Sequence, residues 1–231
     1  MNDSIPVITL DGLSGCGKGT YSLMLAKHLG WHYLDSGALY RAVAWAVLEH
    51  DIDASDEKSL AHLFGHVTFK MESQPQVDLF SVSCDGVDIT QLIRSESVSA
   101  ASSKFAKNQS VRDYVLKLTR SQMQTPGLIA DGRDMGTVVF PNAGLKFYLE
   151  APPKVRAERR YLQLKEQGRS VSLRDVLREL TLRDQRDQAR SLSPAKPAAD
   201  CVLVSTADKT IDDVFNELLA HVGNLLSGVA R

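Results

Sequence analysis

The feature that most constrains the fold is a glycine-rich loop between a buried strand and an amphipathic helix. Residues 5–10 form a short apolar run, and apolar residues at helical spacing follow the loop until Gly30. The loop fits the pattern G-x-x-x-x-G-K, in the strand-to-helix context that this motif requires. We therefore predict a phosphate-binding loop, made of Gly12, Leu13, Ser14, Gly15, Cys16, Gly17, Lys18, Gly19 and Thr20.

The chemistry of such a loop comes from its backbone and from one lysine. Glycines allow consecutive N–H groups to turn inward around an anion, and the helix N-terminus adds its dipole. Lys18, which we expect at an exposed helix start, supplies a mobile positive charge for phosphate oxygens. Cys16 invites interpretation as a nucleophile, but no arginine follows at phosphatase spacing. We interpret it as a small residue that fills space.

The order of apolar segments predicts an α/β fold with a parallel sheet. Short strand-like and helical runs alternate through residue 48, and further strand-like runs lie at residues 128–130, 145–149 and 202–204. Between them, alternating runs at residues 67–71 and 77–82 precede a Cys84-Asp85-Gly86 turn. That pattern predicts a small antiparallel sheet in an insertion.

A second candidate site follows the strand at residues 128–130. Asp131 is placed to hold the water shell of Mg²⁺, and Arg133 projects from the same strand end. A polar turn leaving a strand would give the same pattern. The phosphate loop elsewhere in the chain favours the functional interpretation.

A third candidate is a basic segment. Residues 154–190 hold eleven Lys/Arg and six Asp/Glu, so they carry +5 in a chain of net charge −1. Arg156, Arg159 and Arg160 share one helix face, as do Arg183 and Asp187. Ion pairs such as Arg183–Asp187 would explain some of these residues. The alternative is a mobile lid whose arginines close over transferring phosphates.

Composition excludes several other classes of protein. The 231 residues are 43% hydrophobic and 24% charged, which is ordinary for a globular chain. Three widely spaced cysteines favour neither a disulfide framework nor a zinc site and fit a reducing compartment. With 6% aromatic residues, stacking on single-stranded nucleic acid is disfavoured. We expect a cytoplasmic protein with no membrane and no nucleic-acid partner.

Four segments, in order along the chain, resemble bacterial cytidylate kinases: GLSGCGKGT, LDSGALYRAVAW, GLIADGRDMGTVVFP and LRDQRDQAR. Leu13 and Cys16 depart from the usual GPSGAGKGT, at positions where side chains are not expected to contact phosphate. The resemblance implies ATP- and Mg²⁺-dependent phosphorylation of CMP and dCMP by direct in-line transfer. It also implies a P-loop NTPase fold with a five-stranded parallel sheet flanked by helices.

The same resemblance implies a domain organisation. The core comprises residues 1–40, 107–153 and 191–231. An NMP-binding insertion with the small antiparallel sheet covers 41–106, and a helical lid covers 154–190. We expect a monomer whose partners are ATP and CMP or dCMP.

Site residues follow from the resemblance position by position. Residues 12–20 bind the ATP phosphates, and Thr20 and Asp131 hold Mg²⁺ partly through water. The catalytic residues are Lys18, Arg133, Arg159 and Arg160. The acceptor binds to Ser36, Arg41, Ser103, Arg112, Arg133, Asp134, Arg183, Asp187 and Arg190. Of these, Ser103, Arg112 and Asp134 address cytosine, and Arg183 and Asp187 meet the ribose.

Two alternatives remain open from the sequence. One is another small-molecule P-loop kinase with UMP, AMP or shikimate as acceptor. The other is a nucleotide-binding regulatory or RNA-binding module that uses the basic segment. Assays of phosphoryl transfer to a panel of acceptors distinguish the first alternative from a cytidylate kinase. The second alternative predicts RNA affinity that falls steeply with salt.

Overall fold

The computed structural model describes residues 5–74 and 79–229, and it has an α/β architecture. Five strands form a parallel sheet in the order β2-β6-β1-β7-β8. These strands are β1 (Val7–Gly12), β2 (His32–Asp35), β6 (Leu128–Gly132), β7 (Leu145–Glu150) and β8 (Val202–Ser205). The five-stranded parallel sheet predicted from the resemblance is confirmed.

Eight helices accompany the strands over the described ranges. They are α1 (Lys18–Leu29), α2 (Ser36–Glu49), α3 (Glu57–His66), α4 (Glu96–Phe105), α5 (Gln109–Ser121), α6 (Pro153–Glu166), α7 (Leu173–Gln188) and α8 (Ile211–Val229). A short 3₁₀ turn covers Leu92–Arg94, and a π-helical turn covers Met135–Val139. No helix within the described ranges is long and apolar enough to cross a bilayer.

The predicted antiparallel sheet is also present. Its order is β3 (Phe69–Gln74), β4 (Leu79–Cys84) and β5 (Val87–Asp88), and both pairings are antiparallel. Asp85 and Gly86 make the turn between the last two strands, with φ of 49° and 82°. Val77, which we placed in the second strand, lies outside the described residues.

Contacts along the chain define two compact units. The first unit contains residue 5 and residues 26–128, and within it α2 packs against α4 and α5. The second contains residues 6–25 and 129–229, in which β1 pairs with β7 and β7 with β8. Strand β1 is buried along its whole length, so the glycine-rich loop leaves a fixed core.

Local features of the sequence set the starts of two helices. Helix α1 begins at Lys18, as the sequence predicts. Helix α3 is capped by Asp56, whose carboxylate accepts from the N–H groups of Lys58 and Ser59. The N–H of the preceding residue, Ser55, donates to Asp53 Oδ1 at 2.9 Å.

Candidate active site

The phosphate loop has backbone geometry that disfavours side chains at three of its glycines, Gly12, Gly15 and Gly17. Gly12 has φ of 147°, and a Cβ there would lie 2.4 Å from the Leu149 carbonyl oxygen. Gly15 has φ of 81°, and a Cβ there would lie 3.1 Å from the Arg156 backbone oxygen. Both values lie where L side chains are strained. The glycine pattern of the sequence therefore reflects close packing of the loop on β7 and α6.

Lys18 is buried rather than exposed, which corrects our expectation for the helix start. Its side chain is 8% exposed, and Nζ donates to the Leu13 carbonyl oxygen at 3.0 Å. Burial lowers the pKa of Lys18, and the positive charge of Arg133 acts in the same direction. The ammonium group thus lies against the phosphate loop, beside Leu13 and Cys16.

Cys16 lies inside the loop and is fully buried. Its thiol donates to the Leu13 carbonyl oxygen at 3.0 Å, and Lys18 Nζ lies 3.9 Å from its sulfur. A Cβ on Gly12 would approach the sulfur to 2.9 Å. These contacts agree with the interpretation of Cys16 as a residue that fills space.

The end of β6 brings predicted phosphate-binding residues together. Arg133 Nε donates to Asp187 Oδ2 at 3.0 Å, and Arg190 forms an ion pair with the other oxygen of the same carboxylate. Asp187 is 1% exposed in its side chain, so one buried acid holds two arginines. Asp134, the residue after Arg133, is also buried. A preformed pair of guanidinium groups on one carboxylate is suited to a dianionic phosphate.

Asp11 is a buried acid that the sequence did not single out. Its two carboxylate oxygens accept from the N–H groups of Met135 at 2.9 Å and Gly136 at 2.8 Å. These are the first residues of the π-helical turn, directly after Arg133 and Asp134. Asp11 therefore fixes the backbone directly after Arg133 and Asp134, two of the predicted acceptor-binding residues. In sequence it resembled only the end of a strand before Gly12.

We expect Asp11 to make stability depend on pH. Burial raises the pKa of Asp11 to about 6, although the two backbone donors oppose the shift. As pH rises through this range, the unfolded chain loses its proton before the folded one, so the raised pKa favours folding at low pH and that contribution is lost by about pH 7. A shift of about two units corresponds to about 3 kcal/mol.

Urea unfolding of the wild type and Asp11→Asn at pH 4 and pH 7.5 measures this contribution. The wild type should lose about 2.4 kcal/mol relative to the variant between the two pH values, because the unfolded carboxyl is already partly ionised at pH 4. The same substitution at the exposed Asp212 gives the baseline. A wild-type-minus-variant difference that does not change with pH would contradict the assignment.

The arginines of α6 do not share one environment. Arg159 is half-buried and donates to the Thr206 hydroxyl at 3.0 Å, whereas Arg160 is exposed and bonds Gln163 at 2.7 Å. Arg156 is 2% exposed and pairs with Asp184. Our interpretation of three guanidinium groups on one lid face is therefore wrong for Arg156, because that side chain is directed into the protein.

On α7, the acids of the basic segment have partners that helical spacing did not indicate. Asp184 binds Arg156, 28 positions away, and Asp187 binds Arg133, 54 positions away. Two of the acids in this segment therefore pair with arginines that are far away in the sequence. Arg183 is half-buried on the same helix.

In the first unit, the start of α2 carries two predicted acceptor-binding residues. Ser36 is the first helical residue and is buried, and Asp35 caps the helix by accepting from the Ala38 N–H at 3.1 Å. The second Asp35 oxygen accepts from Arg41 at 3.0 Å. The cap therefore also orients Arg41, a role that the spacing of the two residues did not suggest.

Ser103 and Arg112 lie in the same unit, on α4 and at the start of α5. Both are buried, and Arg112 donates to the Ala106 carbonyl oxygen at 3.3 Å. The Ser103 hydroxyl is buried with no hydrogen-bond partner among the described residues, whereas neighbouring Ser102 bonds Ser99. An unsatisfied buried hydroxyl is unusual in a folded protein and is often completed by a ligand.

The residues predicted for Mg²⁺ suit a metal that keeps water and substrate oxygens. No cluster of three or more His, Cys, Asp or Glu side chains able to hold a metal occurs in the part of the chain that the structure describes. Asp131 is buried, and its charge acts on Lys18, while Thr20 is exposed in the first turn of α1. One carboxylate and one hydroxyl are enough where phosphates supply the remaining ligands.

Comparisons with known proteins show the family of this chain. The family model described as Cytidylate kinase matches residues 8–224. A cytidylate kinase from Shewanella sp. (strain MR-4) is 45% identical over 227 residues, covering 98% of this chain and 99% of the relative. A cytidylate kinase from Coxiella burnetii is 47% identical over 217 residues, covering 94% and 92%. The chain belongs to the cytidylate kinase family.

Proposed function

We propose that this protein transfers the γ-phosphoryl group of ATP to CMP and dCMP. The observation that carries the proposal is one compact unit containing both the phosphate loop with Lys18 and the Arg133–Asp187–Arg190 cluster. The first is suited to a nucleoside triphosphate and the second to the phosphate of an acceptor. Membership of the cytidylate kinase family supports the cytosine acceptor.

In the proposed mechanism, catalysis consists of positioning and neutralisation of charge. Lys18, Arg133, Arg159 and Arg160 stabilise the transferring group, and loop N–H groups hold the ATP phosphates. Mg²⁺, held by Thr20 and Asp131 partly through water, would supply further neutralisation of phosphate charge. No general base is needed because the acceptor phosphate is already nucleophilic.

The acceptor is proposed to bind to nine residues. Ser36, Arg41, Arg133 and Arg190 would bind its phosphate, Arg183 and Asp187 its ribose, and Ser103, Arg112 and Asp134 its base. The unsatisfied hydroxyl of Ser103 supports its place in this set. The carboxylate of Asp134 can accept from the cytosine amino group, and the guanidinium of Arg112 can donate to N3.

The proposed lid is residues 154–190, beside a core of 1–40, 107–153 and 191–231 and an insertion of 41–106. Helices α6 and α7 have a small core of their own, formed by Ala157, Leu164, Val176 and Leu180. Such a core holds the two helices against each other. A role in cytoplasmic pyrimidine nucleotide metabolism, as a monomer, is part of the same proposal.

An acceptor panel tests the proposal. With ATP and Mg²⁺, we expect the highest kcat/KM with CMP and dCMP, less with UMP, and none with AMP or shikimate. Uracil presents a carbonyl to Asp134 and an N–H to Arg112, which costs about 1–3 kcal/mol for each unsatisfied group. A preference for AMP or shikimate would overturn the proposed function.

The same panel with Asp134→Ala tests how the base is selected. The variant should lose kcat/KM for CMP by about 10- to 100-fold and much less for UMP, so that the preference narrows. The matched control is Asp212→Ala, at an exposed position on α8. Equal losses for the two nucleotides would show that Asp134 acts on the fold or the phosphates instead.

A further inference from the structure

A loop that directs its N–H groups toward an anion must direct some carbonyl oxygens outward, and these oxygens need donors. The structure supplies them from distant parts of the second unit. The Ser14 carbonyl oxygen accepts from Arg156 Nη1 at 2.9 Å, and that of Cys16 accepts from the Thr206 hydroxyl at 3.1 Å. The outward side of the phosphate loop is thus bonded at two places.

Arg156 is held in this place by two further hydrogen bonds. Its Nε donates to the Ala151 carbonyl oxygen at 2.9 Å, and its Nη2 donates to Asp184 Oδ2 at 2.6 Å. The side chain is 2% exposed, and Asp184 is 10% exposed in its side chain. The guanidinium group therefore joins three segments: the phosphate loop, the residues before α6, and helix α7.

Backbone packing strengthens the same junction. Gly15 lies so close to the first turn of α6 that a Cβ would meet both Cβ and the carbonyl oxygen of Arg156 at 3.1 Å. Arg159, one turn later, donates to the Thr206 hydroxyl, which bonds the Cys16 carbonyl oxygen. Helix α6 consequently supports the loop at two successive turns.

We infer that Arg156 is a positioning residue, which holds the phosphate loop in its anion-binding form and links the loop to α7 through Asp184. This role rests on the proposed function, since the anion concerned is the triphosphate of ATP. Loss of the Ser14 bond would let residues 14 and 15 turn their N–H groups away from the phosphates. ATP affinity would fall although Arg156 itself is on the outer side of the loop.

The test separates positioning from stability. Arg156→Met leaves Asp184 buried without its partner, so both the melting temperature and nucleotide affinity should fall. The double variant Arg156→Met with Asp184→Leu replaces the ion pair by apolar contacts, which can restore stability. It cannot restore the donor to Ser14. We expect the melting temperature to recover, and Kd for the Mg²⁺ complex of β,γ-imido-ATP to remain about tenfold weaker than in the wild type.

Controls keep the outcome interpretable. Arg178→Met removes an arginine from an exposed ion pair with Asp175 on α7 and should change neither quantity. Arg156→Lys keeps a positive charge beside Asp184 but cannot donate to Ser14, Ala151 and Asp184 together. We expect it to weaken nucleotide binding while lowering the melting temperature only slightly. Calorimetry with the ATP analogue alone needs no acceptor.

The inference is overturned if nucleotide affinity follows the melting temperature across the series and returns in the double variant. It is supported if affinity stays low when the melting temperature has recovered. A wild-type protein that binds the ATP analogue but phosphorylates no CMP would instead refute the proposed function, and the binding series would still decide the role of Arg156.

Discussion

Replacing Lys18 by methionine should lower kcat by about a thousandfold while the protein stays folded. The loss corresponds to about 4 kcal/mol of transition-state stabilisation, in the range found when one preorganised charged or polar donor is removed from an active site. Methionine keeps most of the aliphatic stem that Lys18 buries, so it removes charge with little change in packing. Alanine would also leave a cavity, because the side chain is buried.

Steady-state kinetics with saturating CMP and ATP, together with thermal unfolding, measure this effect. Lys196→Met, at an exposed position in the same unit, is the matched control. A Lys18→Met protein with a normal melting temperature and a kcat within tenfold of the wild type would show that the loop lysine does not act on the transferring phosphoryl group.

Local patterns in the sequence predicted the phosphate loop correctly because all of its determinants are contiguous. A buried strand, glycines at fixed offsets and Lys18 at the helix start lie within fourteen residues. The small antiparallel sheet was also predictable, because alternation and the Asp85-Gly86 turn are local signals. Both features depend on interactions between residues that are near one another in the chain.

The support around the loop could not be predicted, because its partners are distant in sequence. Asp11 bonds residues 135 and 136, and Arg156 bonds Ser14, 142 positions away. Helical spacing placed Arg156 with Arg159 and Arg160, although only tertiary contacts reveal that it is buried. Burial of Lys18 escaped prediction for the same reason, since a helix start is usually exposed.

Arg133 is held in place by the carboxylate of Asp187, which it shares with Arg190. An arginine free in solution samples many rotamers, and ordering it on a substrate costs entropy. Asp187 fixes Arg133 and Arg190 before any phosphate arrives, so this cost is met on folding. Positioning of this kind contributes to catalysis only when both guanidinium groups keep their geometry.

Arg133→Met should therefore lower kcat/KM for CMP by about a thousandfold, and Arg133→Lys by about a hundredfold. Lysine restores the charge but not the planar fork that can bond Asp187 and a phosphate together. Arg133→Met also leaves the buried Asp187 with one arginine fewer. We expect its free energy of unfolding to fall by about 3 kcal/mol at most, because Arg190 still pairs with that carboxylate.

Kinetics over a range of CMP concentrations, with urea unfolding of the same samples, distinguish the two effects. Arg174→Met, exposed on α7, controls for removal of a positive charge from the basic segment. If Arg133→Met and Arg133→Lys lose activity equally, the geometry of the fork rather than its charge is decisive. If Arg133→Met stays within tenfold of the wild type, Arg133 serves only to pair Asp187, and the acceptor phosphate must be bound by other groups.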